Sequence, residues 1–268
     1  MAGKDNTQMA EFFIFGYFGY TSKEINDMCP CCRILMCAKR AYLDWNRTIE
    51  YEKVASEKDK ETFINIGCTI IIHGISGILE HKELYGDWSE NKQEVFNTLH
   101  SRICEAIEKA ANDQTIDSVP NTYLLKQKGE KRLYYGQAQK WLNMTLKYME
   151  LLDLNNVRSI RGLLHVPIDR YILRAAASSQ KSRYAGEHSL FKRIAPKRHP
   201  EREKAEGKVY YLDERAQPWS QLYKEDYIEL QKDLRDSIGK KNWEDIKCPL
   251  DWEAKAWIEQ AQKERKKP

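Results

Sequence analysis

The stretch from Tyr134 to Ser178, YYGQAQKWLNMTLKYMELLDLNNVRSIRGLLHVPIDRYILRAAAS, decides the fold class. In its first part Ala138, Trp141, Leu142, Thr145, Tyr148 and Met149 recur at helical spacing, which predicts an amphipathic helix docked on a core. Gly136, Lys140, Asn143 and Lys147 fall on a neighbouring face. Lys140 stands at the border of the buried stripe, where its stem can pack while its amine opens into a cleft. Asn155-Asn156 suits the turn that ends this helix. In the second part, Pro167 keeps its predecessor extended, and Asp169 stands at the N-cap position of a helix carrying Ile172, Leu173 and Ala175–Ala177. A carboxylate there accepts backbone N–H bonds, feels the positive helix end and stays ionised.

Gly136-Gln-Ala-Gln-Lys140 and Pro167-Ile168-Asp169, with Ile172 and Arg174 following, resemble two motifs of the helix-hairpin-helix DNA glycosylases. The likeness is to the 8-oxoguanine glycosylase-fold branch and its archaeal relatives. It implies a mainly helical, all-α fold with two helical subdomains flanking a cleft. It also implies Lys140 as catalytic nucleophile and Asp169 as catalytic carboxylate. A base inside a duplex is inaccessible to chemistry, so such an enzyme rotates it out into a pocket. Asp169 would stabilise the sugar cation, and Lys140 would attack C1′ and form an imine, giving lyase activity. Gly136, Asn143, Lys147, His165, Arg170 and Arg174 are the substrate- or DNA-binding candidates. The expected partner is double-stranded DNA carrying a damaged or modified base, either oxidised guanine or a modified phage base met in antiviral defence.

Two other classes compete. Arg158-Ser-Ile-Arg-Gly-Leu-Leu-His165 has the Arg–His spacing of HEPN-like helical RNases. A non-catalytic DNA-binding protein of the same fold is the other.

Outward from this stretch, the chain divides into 1–115 (N-terminal helices), 116–180 (the catalytic core) and 181–268 (a basic loop and C-terminal helices). Residues 1–11 read as a loose start and Phe12–Tyr20 as a short buried segment. Helices are expected over Ile34–Lys58, Lys60–Leu79, Asn91–Asn112, Asp226–Gly239 and Asp251–Arg265. Arg40, Asp44 and Arg47 fall off the apolar face of the first of these and read as a solvated surface. Phe63–Leu79 reads as a buried helix, with His73 a satisfied core histidine; a membrane span is the lesser alternative. Residues 181–208 hold nine bases against four acids, although the whole chain carries only +4. This segment reads as an exposed loop able to meet phosphates.

The start of the chain lacks a secretory pattern, so a cytoplasmic monomer without membrane contact is expected. Seven cysteines then read as reduced thiols. Cys29, Cys31, Cys32 and Cys37 are expected to pack near a turn at Pro30, with no metal and no cofactor assigned.

Overall fold

A computed structural model describes residues 2–85, 91–119, 121–177, 180, 184–190, 218–241 and 243–265, with side chains from residue 8 onward apart from Ala177. Nine α-helices follow in order among them: α1 Ala2–Phe18, α2 Ser22–Asp27, α3 Pro30–Trp45, α4 Glu57–Glu80, α5 Lys92–Asp113, α6 Tyr135–Leu151, α7 Arg170–Ala177, α8 Lys224–Lys241 and α9 Pro249–Arg265. The described residues contain no strand, only isolated bridges such as Tyr51 with Leu125. The molecule is mainly helical, as the sequence predicts. Most of the 181–208 segment lies outside the described residues.

The helices begin where local chemistry satisfies their free N–H groups. Thr21 with Glu24 and Ser56 with Asp59 form reciprocal capping boxes for α2 and α4. Pro30 opens α3, where its missing N–H costs nothing. After α6 the chain turns through Asp153, Asn155 and Asn156, all in the left-handed region that Asn and Asp tolerate best.

Helix α6 is the central rod. It packs on α3, α5 and α8, while α4 lies against α3 and α5, and α7 against α9. One continuous apolar core runs from Ile25 on α2 to Ala256 on α9. It therefore passes through all three segments expected from the sequence. Trp141 fills its centre, with Tyr42, Trp45 and Phe63 around it at centroid distances of 5.2, 5.6 and 6.1 Å.

Several expectations are corrected. The helix read over Ile34–Lys58 stops at Trp45. Thr48 Oγ1 returns to the Trp45 carbonyl, and the chain then extends so that residues 50–52 pair with 124–126. Phe12–Tyr20 is not a buried segment. It lies largely on α1, whose helix already runs from Ala2 where a loose start is expected, and Met9, Phe12, Phe13 and Phe15 are exposed while Ile14 and Phe18 pack on the core. Arg40 and Asp44 are not a solvated surface: Asp44 accepts from both Tyr17 and Tyr148, and Arg40 lies 3.7 Å from the Tyr17 ring centroid, clasping α1 to α3 and α6. Helix α4 buries one face only, through Phe63, Gly67, Cys68, Ile71, Ile75 and Ile78, and His73 is exposed. It is long and apolar enough to cross a membrane by length and composition, a test that core helices also pass. Cys29, Cys31 and Cys32 are exposed rather than packed, and Cys29 is disulfide-bonded to Cys32.

Candidate functional site

Lys140 and Asp169 meet, although 29 residues separate them. Lys140 Nζ lies 3.0 Å from Asp169 Oδ2 at the start of α7. The other carboxylate oxygen accepts the Ile172 N–H at 3.0 Å, so Asp169 caps α7 as the sequence predicts. The Trp257 indole donates to Oδ2 at 3.0 Å. Burial pushes the Asp169 carboxyl up, but the Lys140 ammonium, the Ile172 N–H and the Trp257 indole outweigh it and hold it below its ordinary value. Lys140 is 7% exposed. Trp257 is 38% exposed, and Tyr171 stands edge-on to it at 5.0 Å, so two aromatic rings border the pair.

The neighbouring candidates are spent inside the protein. Gly136 touches backbone: a Cβ there would collide with the Trp219 carbonyl oxygen, and its N–H donates to the Leu222 carbonyl. Lys147 pairs with Glu253, whose side chain is buried on α9. Arg174 is buried against Glu264 and lies 4.3 Å from the Tyr184 ring centroid. Of the six DNA-binding candidates only Arg170 is exposed, and it pairs with Glu264 at 3.0 Å.

Asn143 and His165 belong to a buried polar cluster between α5, α6 and α8. The Asn143 amide donates to Tyr227 Oη and to Gln139 Oε1, both at 2.8 Å, and its carbonyl lies 2.7 Å from His100 Nε2. His165 contacts Tyr227 Oη at 2.8 Å and Asn97 Oδ1 at 2.7 Å. Gln139 and Gln231 bind the backbone of 166–168, holding the approach to Asp169. The far face of α6 is thus buried as well, because amide, imidazole and phenol groups satisfy one another there. A single amphipathic stripe could not show this. A partial signal is present in Gln139 and Asn143, amides one turn apart on a helix crowded with aromatics.

Burial lowers the pKa of His100 to about 4, despite the opposing Asn143 hydrogen bond. Burial, then the neighbouring His100 and Arg235, lowers that of His165. Both rings stay neutral in the folded state while unfolded histidines take up protons below about pH 6.5. The unfolded chain then holds more protons, so stability falls as pH drops. The expected loss is about 1.4 kcal/mol per pH unit for each ring until its native pKa is reached. Asp169 acts in the same direction lower down: its contribution is complete above the unfolded aspartate pKa of about 3.9 and vanishes as pH falls through the native value. Urea midpoints at pH 7, 6 and 5 check the histidine contribution, which His100→Gln should make shallower, and midpoints at pH 4 and 3 check that of Asp169.

A cavity of about 810 Å³ opens between α5 and α8, with Asn97, Ser101, Arg102, His165, Gln231 and Lys232 in its wall. Neither Lys140 nor Asp169 lines it. No local pattern announces this cavity, whose walls come from segments far apart in the chain. Arg158 is exposed and paired with Asp153 at 3.3 Å, whereas His165 is buried against Asn97 and Tyr227. Residues Val157–Leu163 form a 3-10 turn, not the continuous helix that the RNase pairing needs.

No family model, no curated protein and no solved structure matches this chain.

Proposed function

We propose that this protein is a DNA glycosylase with lyase activity, excising a damaged or modified base through Lys140 and Asp169. The observation that carries the reading is the 3.0 Å meeting of amine and carboxylate at the capped start of α7. Asp169 stabilises positive charge developing on the sugar as the glycosidic bond breaks. The Lys140 ammonium gives its proton to the departing base, and its freed lone pair bonds to C1′. Loss of a second proton and opening of the ring give the imine, from which the strand is cut. Trp257 and Tyr171 supply aromatic surface on which an everted base packs. The pair is closed in this conformation, so an entering nucleotide displaces the Trp257 indole from Asp169.

A second reading has its own observation. Both Asp169 oxygens are satisfied within the protein, which suits a structural clasp between α6, α7 and α9. Borohydride trapping separates the two. Duplex oligonucleotides carrying oxidised guanine or phage-type modified bases are incubated with protein and reduced. The enzyme reading expects a covalent adduct that Lys140→Met abolishes. Absence of both adduct and base release across the panel leaves the clasp.

A further inference from the structure

The segment Cys29-Pro30-Cys31-Cys32 takes no part in the chemistry above. Cys29 is the N-cap residue of the sixteen-residue helix α3, and its Sγ accepts the Cys32 N–H at 3.1 Å. It is bonded to Cys32 with the Cα atoms 5.1 Å apart. Cys31 Sγ lies 3.0 Å from Cys29 Sγ, so a free thiol stands beside a disulfide. All three residues are exposed.

The seat is braced. Arg33 donates to the carbonyls of Ile25 and Asn26, and Asn155 donates to the carbonyl of Pro30. The other four cysteines, Cys37, Cys68, Cys104 and Cys248, are buried. Burial pushes the thiols of Cys37 and Cys68 up to about 12 and about 11, which leaves them poor nucleophiles.

We propose that Cys29, Cys31 and Cys32 form a thiol–disulfide exchange site whose co-substrate is an external thiol. The thiolate of that external thiol attacks Cys32 Sγ. The Cys29–Cys32 bond breaks, and Cys29 leaves as a thiolate held by the Cys32 N–H and the positive end of α3. A second external thiolate attacks the mixed disulfide, releasing Cys32 as a thiolate and one molecule of external disulfide. Two electrons enter the protein, and the protons of the two external thiols end on Cys29 and Cys32. Cys31 gives the site a second oxidised form. Its thiolate attacks Cys29 Sγ, the 29–31 bond forms, the 29–32 bond breaks, and Cys32 takes up the proton that Cys31 lost. Exchange requires an accessible thiolate close to the bond it attacks, and this arrangement supplies one from within the chain. Cys29 is common to both oxidised forms.

The test equilibrates the whole protein in glutathione buffers of graded ratio, alkylates free thiols and digests with trypsin. Residues 24–33 form one peptide that carries all three cysteines. Reversible loss of two alkylation sites in that peptide is expected, with the third cysteine still modified. Cys31→Ser should oxidise through Cys32, and Cys32→Ser through Cys31. Cys29→Ser leaves only the adjacent pair, and its midpoint should move roughly tenfold or more toward oxidising buffer. Three alkylated sites at every ratio would overturn the proposal. So would Cys29→Ser oxidising as readily as the parent. A zinc ion retained by the reduced protein through dialysis, and blocking oxidation, would also overturn it by making the trio a metal site.

Discussion

Lys140→Ala is expected to lower stability by about 2–4 kcal/mol, because it leaves the largely buried Asp169 carboxylate at the start of α7 without its cation. Asp169→Ala strands the ammonium in the same way and removes the α7 cap as well. The joint replacement Lys140→Met with Asp169→Asn is expected to cost far less than the two single changes together, since neither buried charge remains. The asparagine amide retains a side-chain oxygen able to accept the Ile172 N–H. Urea unfolding of the parent, Lys140→Met, Asp169→Asn and the joint variant gives the coupling directly, and near-additive losses would show that the two groups act independently. This asymmetry bears on the enzymology. Loss of activity in Lys140→Ala alone would confound chemistry with unfolding, so the trapping experiment uses Lys140→Met below its unfolding midpoint. A folded Lys140→Met protein that still forms adducts would exclude Lys140 as the nucleophile.

Trp141→Ala is expected to cost about 3–5 kcal/mol, as complete removal of a buried aromatic does. Its indole is fully buried, donates to the Ala38 carbonyl at 2.8 Å and lies among Tyr42, Trp45 and Phe63. The ring also lies directly over Gly67 of α4, where an added Cβ would collide with it. Gly67→Ala is therefore expected to destabilise by about 1–3 kcal/mol through overpacking, despite the better helix propensity of alanine. In a Trp141→Phe background the smaller ring leaves room, and Gly67→Ala should cost less there. Thermal or urea unfolding of that double-mutant cycle checks the contact, and equal costs in the two backgrounds would contradict it.

Much of the helical order was legible because apolar period and capping residues are local. The periodic residues of α6, the Asn155-Asn156 turn and the Asp169 cap all follow from neighbours a few positions away. Helices α5, α8 and α9 were placed within a few residues for the same reason. Expectations failed where a partner was distant. Nothing near Thr48 announces that residues 50–52 will pair with 124–126 and end α3 at Trp45. Nothing near Asp44 announces Tyr148, which together with Tyr17 turns a supposed surface carboxylate into a clasp. The aromatic run of α1 suggested burial by composition, yet Phe12, Phe13 and Phe15 face outward. Hydrophobicity says what a residue prefers and not whether a surface is there to cover it.

The candidate site divides along the same line. Local backbone geometry was enough to place an amine on the central helix and an anion at the start of a later one. It took the packing of the whole chain to bring the two within 3.0 Å and to close Trp257 of α9 over them. The same packing turned Asn143 and His165 into members of a buried network. A polar side chain on a buried helix face must find its partner on another element, and no stretch of neighbouring residues specifies which element arrives there.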